Sequence, residues 1–297
     1  MHYRVAVDGL NLRSTPEVRP GTVIAVLRRG DLVTALDQSS QAWWRVRATV
    51  GTLTVEGFVA ARYLEPDAGF QPPAPAVGDV PPVHMPVDRW SGARATAARR
   101  AYPLNEPGQP TRQGGDEATR RRELTAIVEW LDVERSERYR PGGSTYCNIY
   151  AYDYCFLAGV YLPRVWWTAP ALQELAAGRP VVPVYDTTLR EMSANSLHDW
   201  LADWGPRFGW TRTLSLGEAQ DQANRGRVVV ICARNRNRNR SGHICAVVPE
   251  TAGQTAARTG GEVTGPLQSQ AGRTNHRYRT FVWWTSATFD GVGFWWA

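Results

Sequence analysis

The amino-acid sequence predicts two structured domains, an all-β barrel at the N-terminus and an α+β domain at the C-terminus. Three features predict this arrangement. Short strand-like segments separated by turn residues occupy residues 1–65, a proline-rich stretch follows, and helical patterns then precede a second series of strand-like segments. The length of 297 residues also agrees with about two domains of ordinary size.

The N-terminal domain is predicted over residues 1–65. Turn signals such as Asp8-Gly9 and Arg29-Gly30 separate short alternating or apolar segments, a pattern typical of strands. Their close and regular spacing favours a small barrel over an open sheet. The predicted strands cover residues 3–7, 22–27, 32–36, 43–46 and 57–59.

The motif order in this domain resembles that of the bacterial SH3 family. The segment GLNLRSTP at residues 9–16 is similar to the opening motif of the family. The segments IAVLRRG (24–30), WWRV (43–46), EGFV (56–59) and YL (63–64) then follow in the family order. The resemblance covers nearly all of the domain, and it implies a barrel that binds cell-wall peptide or acts as a spacer beside a catalytic domain.

Residues 66–114 are predicted to form a linker. Seven prolines lie between Pro66 and Pro86 among Gly and Ala residues, a composition that favours extended, semi-rigid backbone. The stretch from residue 88 to 115 is polar and rich in arginine, with further prolines. We therefore predict no regular secondary structure there.

The C-terminal domain is predicted over residues 115–297. Its first half has helical patterns and its second half has strand-like segments, an order typical of an α+β domain. Helices are predicted around residues 124–131, from Cys147 onward, and at 170–177, 196–204 and 217–225. Strands are predicted at 227–233, 243–248, 266–270, 278–284 and 289–296.

Two residues of this domain have a context typical of a nucleophile and a base. Cys147 follows the segment GGSTY and opens an apolar helix, where the helix dipole lowers the pKa of a thiol. His243 begins a later apolar strand, where it can act as a general base. Cys155 lies on the same helix, beyond disulfide reach of Cys147. The remaining cysteines lack a CxxC spacing, so the sequence predicts neither a metal site nor a cofactor.

A cysteine at a helix start followed by a histidine on a later strand resembles the papain-like cysteine hydrolases, in particular their NlpC/P60 and CHAP branch. The resemblance implies that Cys147 is the nucleophile, that His243 is the base, and that the substrate is an amide bond in peptidoglycan. It also implies a third residue that orients the imidazole from the strand after His243. Gln270 matches the CHAP position best, with Gln268 and Asn275 as alternatives.

Other residues are assigned weaker roles. The segment between Cys147 and His243 is longer than is common in the family, and we place no counterpart for it. His198 and His276 are less favoured alternatives for the base, because their sequence contexts are typical of packing and of a polar turn. The predicted substrate-binding residues are Tyr146, Asn148, Trp166 and Trp167.

The charge pattern gives little support to a nucleic-acid partner. The net charge is +6, and all 34 basic residues are arginine because the chain contains no lysine. No zinc-finger spacing or RNA-binding signature accompanies this charge. The arginine–asparagine tract at residues 234–240 is predicted to be a solvated hairpin tip beside the site. No apolar run reaches the roughly 20 residues that a membrane-spanning helix needs.

Taken as expectations, these patterns describe a monomeric peptidoglycan hydrolase, secreted or located at the cell wall. The sequence shows no leader pattern, so export would use phage-type release or a leader that has been removed. Two alternatives remain. The second domain could be a papain-like toxin or acyltransferase acting on protein or lipid, or the chain could be a non-catalytic wall-binding protein.

Overall fold

The computed structural model describes residues 2–37, 40, 42–50, 53–67, 80–85 and 102–297. The chain forms two compact units, Met1–Pro75 and Ala76–Ala297. Much of the predicted linker lies outside the described residues.

The first unit is an antiparallel β-sheet. Its described strands are β1 (His2–Val5), β2 (Leu10–Arg13), β3 (Val23–Leu27), β4 (Leu32–Asp37), β5 (Trp43–Val50), β6 (Leu53–Ala60) and β7 (Leu64–Pro66), with a 3-10 turn at Ala61–Tyr63. They follow the order β3-β2-β6-β5-β4-β1-β7 in the sheet. Alternating side chains such as Leu10 and Leu12, or Val46 and Ala48, are buried in its core.

Strands β2 and β7 were not among the predicted strands. Each is only three or four residues long, too short for the alternation of side chains to stand out from a neighbouring turn. Pairing stabilises both, because β2 bonds to β3 and β6, and β7 bonds to β1.

The second unit begins before residue 115, which corrects the predicted end of the linker. Val80, Val83 and Met85 are each less than 10% exposed and join the core of this unit. The main-chain N–H of Val83 donates a hydrogen bond to the Tyr161 hydroxyl at 3.0 Å, and that hydroxyl donates to the Val83 carbonyl at 3.1 Å. These apolar side chains lose contact with water by packing there, which a free spacer would not allow.

The helices of the second unit are α1 (Glu117–Leu131), α2 (Cys147–Leu157), α3 (Ala169–Ala176), α4 (Ala194–Asp203) and α5 (Leu216–Asn224), with 3-10 turns at Glu137–Tyr139 and Gly205–Phe208. Its strands are β8 (Val165–Trp167), β9 (Leu189–Glu191), β10 (Thr211–Thr213), β11 (Val229–Asn235), β12 (His243–Val247), β13 (Ala257–Thr259), β14 (Glu262–Gly265), β15 (Gln268–Gln270), β16 (His276–Arg279) and β17 (Phe289–Trp296). In the described part of this unit, the strands form a six-stranded antiparallel sheet in the order β10-β17-β11-β12-β15-β16 and two small two-stranded sheets, β8-β9 and β13-β14.

The central strands β11 and β12 are covered on both faces. Val230, Cys232 and Ile244 point into the core that contains α2 and α4, whereas Ile231 and Cys245 point into a second core beside α5. This double burial explains why both strands consist almost entirely of apolar residues. Among the described residues, no helix is both long enough and apolar enough to cross a membrane.

One predicted strand is wrong in its extent. Residues 278–284 were predicted to be a strand, but β16 ends at Arg279 and Trp283 lies in the connection that follows. The apolar residues of this connection pack around the sheet instead of pairing within it. Trp284, for example, packs its ring against Phe294 of β17 with centroids 5.5 Å apart.

Helix α2 is fixed by a buried ionic and hydrogen-bonded cluster. Asp153 accepts hydrogen bonds from Arg138 Nε at 2.6 Å, from Arg138 Nη2 at 3.0 Å and from the Tyr139 hydroxyl at 2.7 Å. Burial opposes the charge on Arg138, but Asp153 outweighs it and raises the Arg138 pKa above its ordinary value. On another side of α2, the hydroxyl groups of Tyr150 and Ser269 lie 2.5 Å apart and connect the helix to β15.

We expect Asp153→Asn to destabilise the chain by about 3–5 kcal/mol, because it leaves the Arg138 guanidinium buried without its counter-ion. Chemical denaturation followed by tryptophan fluorescence would measure the free energy of unfolding. Glu137→Gln is the matched control, because Glu137 pairs with Arg140 on the surface, and it should cost less than about 1 kcal/mol. Equal losses in the two variants would contradict the role given to the buried pair.

Candidate active site

Cys147 is the first residue of α2, at the end of an exposed glycine-containing loop. Tyr146 is the N-cap residue, and its side chain makes no capping hydrogen bond. The first turn therefore presents main-chain N–H groups and the positive end of the helix dipole near the sulfur. Cys147 itself is only 3% exposed.

His243 is the first residue of β12, and its position depends on Gly242. A Cβ atom on Gly242 would lie 2.3 Å from the Ala233 carbonyl oxygen and 2.6 Å from Asn195 Oδ1. Asn195 in turn accepts a hydrogen bond from the Asn235 main-chain N–H at 2.8 Å. Only glycine fits at this point. The close approach of Gly242 to Ala233 and Asn195 determines where β12 begins and therefore where the imidazole of His243 lies.

Cys147 and His243 interact through charge and a hydrogen bond, and their pKa values shift in opposite directions. Burial raises the pKa of the Cys147 thiol, but the charge and hydrogen bond of His243, with main-chain hydrogen bonds from Ile244 and Asn148, lower it overall. Burial lowers the pKa of His243, but the charge and hydrogen bond of Cys147, with a hydrogen bond to Gln270, raise it overall. The arrangement therefore favours a thiolate–imidazolium pair.

Gln270 determines which imidazole nitrogen faces the sulfur. Its amide oxygen Oε1 lies 2.6 Å from His243 Nε2. A carbonyl oxygen can only accept, so Nε2 carries a proton and Nδ1 is the nitrogen that remains for Cys147. Gln270 is 5% exposed and lies on β15, the strand next to β12, so the sheet itself holds the amide in place.

The two alternatives to Gln270 have other partners. Gln268 donates hydrogen bonds to the carbonyls of Pro266 and Phe281 and is fully buried. Asn275 donates to the carbonyls of Val133 and Tyr139, both at 2.9 Å. Both side chains hold loops together, and neither has a described contact with His243.

Trp283 is a residue of the site that sequence reasoning missed. Its ring meets the His243 imidazole edge-on, with centroids 4.5 Å apart and an interplanar angle of 82°. Its indole Nε1–H donates to Gln268 Oε1 at 2.8 Å. Trp283 is partly exposed and so forms a wall beside the imidazole. The only sequence signal for this residue is the pair Trp283-Trp284, which lies within the predicted strand at residues 278–284.

The prediction that Trp166 and Trp167 bind substrate is wrong, because each is 3% exposed. The Trp166 ring packs against Trp200 and Phe208, with centroids 5.6 and 5.7 Å apart. The indole N–H of Trp167 donates to the carbonyl of Pro81 at 3.1 Å. These large rings fill the core around α4 instead of lining an open groove.

The residues on either side of Cys147 also have roles within the protein. The Asn148 side-chain amide donates a hydrogen bond to the Met192 carbonyl at 2.9 Å, which connects α2 to the segment before α4. Tyr146 is half-buried and packs against the core. Contact of either residue with a substrate remains a prediction.

The alternative histidines lie in other surroundings. His198 is 4% exposed, has its Nδ1 3.2 Å from Asp199 and packs edge-on against Trp295. His276 Nε2 lies 2.8 Å from Arg279 Nη1. In the described part of the chain, no three His, Cys, Asp or Glu side chains cluster in a way that could hold a metal ion.

Residues 236–240 of the arginine–asparagine tract are exposed, in agreement with the predicted hairpin tip, whereas Arg234 and Asn235 are buried at the end of β11. Arg234 is 7% exposed and pairs with Asp199 at 2.8 Å. Arg238 binds both carboxylate oxygens of Asp290 at 3.0 Å. These ion pairs attach one end of the hairpin to α4 and β17, because a buried guanidinium needs a counter-charge.

Comparisons with known proteins support the identity of the first unit. Residues 8–65 match the family described as the bacterial SH3 domain, which confirms the resemblance of that segment. A solved structure, NlpC2 from Trichomonas vaginalis, aligns over 100% of this chain and 73% of its own, with 10% identity and a TM-score of 0.24. No curated protein sequence matches the chain.

We expect Cys147 to be the cysteine that reacts with iodoacetamide near neutral pH. Burial raises the pKa of Cys155, Cys232 and Cys245, whereas that of Cys147 is lowered. In His243→Ala the rate at Cys147 should fall, roughly tenfold for each pKa unit that the thiol regains. Site-resolved mass spectrometry would follow the labelling. Equal labelling of Cys147 and Cys155 would contradict the ion-pair assignment.

We also expect substitutions of Gln270 to change the pKa of His243 in a defined order. Gln270→Ala removes a hydrogen bond that raises this pKa, and Gln270→Glu replaces the amide with a carboxylate that raises it further. The imidazole pKa of His243 should therefore be lowest in Gln270→Ala, intermediate in wild type and highest in Gln270→Glu, as measured by NMR titration. Gln254→Ala, at an exposed turn, is the control and should leave it unchanged.

Proposed function

We propose that the chain is a cysteine peptidoglycan hydrolase, in which the second unit cleaves an amide bond of the stem peptide or of the sugar–peptide linkage. The observation that carries the proposal is the 2.6 Å pair between His243 Nε2 and Gln270 Oε1, together with the effect of His243, whose charge and hydrogen bond lower the pKa of Cys147. Amide hydrolysis through a covalent intermediate needs a nucleophile, a base beside it and a third group that orients the base.

In the proposed first step, the Cys147 thiolate attacks the carbonyl carbon of the amide and forms a tetrahedral intermediate. Main-chain N–H groups at the start of α2, that of Cys147 in particular, would stabilise the oxyanion. The His243 imidazolium then gives its proton to the leaving nitrogen as the C–N bond breaks. The products of this step are a free amine and a thioester on Cys147.

In the second step, neutral His243 takes a proton from a water molecule, and the resulting hydroxide attacks the thioester carbonyl. Collapse of the intermediate breaks the C–S bond, releases a carboxylic acid and restores the thiolate–imidazolium pair. Gln270 keeps Nε2 protonated during both steps, so Nδ1 is the nitrogen that exchanges the proton. This role makes Gln270 a positioning residue.

Trp283 supports the same chemistry by its location. Its ring covers one side of the imidazole, and its anchor is the buried amide of Gln268. A wall of this kind limits the rotation of the imidazole and excludes water from one side of the ion pair. We propose that its exposed edge also contacts the substrate, in the place that the sequence had assigned to Trp166 and Trp167.

The match of residues 8–65 to the bacterial SH3 domain supports peptidoglycan as the substrate. We propose that this unit binds cell-wall peptide and so keeps the hydrolase close to its substrate. Linking the two activities in one chain raises the effective concentration of cleavable bonds without new contacts at the active site. The proposed location is therefore the cell wall.

The test is release of new amino termini from purified peptidoglycan, with mass spectrometry of the fragments to identify the bond. We expect Cys147→Ala to lower the rate at least about 10³-fold, because the covalent step is lost. Cys155→Ala is the matched control, since Cys155 is a buried thiol on the same helix, and it should retain activity.

Each failure of this test has a distinct meaning. Cleavage by Cys147→Ala at the wild-type rate would exclude Cys147 as the nucleophile. If wild type cleaves no type of cell wall while Cys147 is still selectively alkylated, Cys147 remains the assigned nucleophile and peptidoglycan is excluded as the substrate. A protein or lipid acyl substrate would then be the leading hypothesis.

A further inference from the structure

A cleft lined by arginine lies at the opposite end of α2 from Cys147. It has a volume of about 250 Å³ and is lined by Arg112, Gln113, Gly114, Arg120 and Arg227. Arg112 marks its position, because its main-chain N–H donates to the carbonyl of Leu157, the last residue of α2. The 11 residues of α2 at about 1.5 Å each give about 16 Å between the cleft and Cys147.

Arg112, Arg120 and Arg227 supply three positive charges to the lining of this cleft. Arg120 Nη1 also donates to the Gly115 carbonyl at 2.6 Å, and the Arg227 guanidinium lies over the Trp296 ring. In the described part of the chain, neither Arg112, Arg120 nor Arg227 forms an ion pair with a carboxylate. Burial lowers the pKa of Arg112, and the charges of Arg120 and Arg227 lower it further, although Tyr154 and Cys155 act in the opposite direction. A cluster of like charges that destabilise one another is the arrangement that a bound anion would relieve.

The fold keeps these charges together. Arg112 donates from Nε to the Ala158 carbonyl at 2.9 Å and from Nη1 to the Gly226 carbonyl at 2.8 Å, which fixes the plane of its guanidinium. Gly226 has a φ of +75°, and a Cβ there would lie 2.4 Å from the Arg120 Cβ. Glycine therefore lets the turn after α5 approach α1, and this approach brings Arg227 and Arg120 to one cleft.

The carboxylate of Glu123, which lies near the cleft, already accepts hydrogen bonds from the main chain. Glu123 accepts the main-chain N–H groups of Gln113 and Gly114 at 2.9 and 2.8 Å. Its carboxylate thus satisfies the main chain of the cleft wall and is not among the residues that line the cleft. The residues that line the cleft include three arginines and no acidic side chain.

We propose that this cleft binds a phosphate-class oxyanion, either free or as a phosphate group of a larger molecule. The planar fork of guanidinium donors matches the tetrahedral oxygens of phosphate and binds them in pairs. Three such groups, one of them with its plane fixed in advance, supply both charge and geometry. The site is separate from the Cys147 centre and does not depend on the proposed hydrolase activity.

Titration calorimetry and thermal unfolding of the full chain with inorganic phosphate, at constant ionic strength and with chloride as reference, test the proposal. Phosphate should bind saturably and raise the unfolding temperature, since a ligand that binds the folded state stabilises it. Arg227→Gln should weaken binding about tenfold, the effect of losing one charged hydrogen-bonding group. Arg120→Gln should have a similar effect.

Arg225→Gln is the matched control. It removes the same charge from an exposed residue two positions away that does not line the cleft, and it should bind phosphate within about twofold of wild type. Alkylation of Cys147 at the wild-type rate would show that each variant is folded. Methyl phosphate and dimethyl phosphate distinguish the sources, because the first imitates a terminal phosphate group and the second a linkage within a polymer.

Tighter binding of either ester than of free phosphate would support recognition of a phosphate group in a larger molecule. Tighter binding of free phosphate would support the free anion as ligand. The proposal is overturned if none of the three binds saturably, or if Arg225→Gln weakens binding as much as Arg227→Gln does.

Discussion

The packing of α2 inside the second unit is the constraint on which the candidate site depends. Nine of its 11 residues are buried, so the helix lies within the core instead of on its surface. Its buried polar groups have partners on different elements, Asp153 with Arg138 and Tyr150 with Ser269. Since Ser269 and Gln270 are neighbours on β15, the contact that fixes the helix also fixes the strand that orients His243.

The same helix shows why the thiolate needs its partners. Cys147 and Cys155 are both buried thiols on α2, yet their pKa values shift in opposite directions. At Cys155 burial dominates, and the charge of Arg112 opposes it without reversing it. At Cys147 the contact with His243 and two main-chain hydrogen bonds overcome burial. Burial by itself would therefore keep Cys147 protonated, and the site depends on the placement of the imidazole.

The sequence predicted the parts of the fold that rest on local patterns. The helix at Cys147 and the apolar strands on either side of the arginine–asparagine tract follow from periodicity. Gln270, chosen over Asn275 from a family resemblance, lies beside His243, and its catalytic role stays a prediction. Patterns that depend on tertiary packing misled us. Trp166 lies in the long segment between Cys147 and His243, and no local signal tells a core ring from an exposed one. Trp283 contacts His243 only because the chain leaves the sheet after β16.

The long segment between the two catalytic candidates acts as a support for the site. Its helix α4 carries Asn195, which bonds to Asn235 and to the Arg240 carbonyl at 2.9 Å and so holds the hairpin that ends at Gly242. Met192, just before this helix, accepts the hydrogen bond from Asn148 beside the nucleophile. This one segment therefore touches both the helix of Cys147 and the strand of His243. A change in its packing would alter the distance between sulfur and imidazole without any substitution at the site itself.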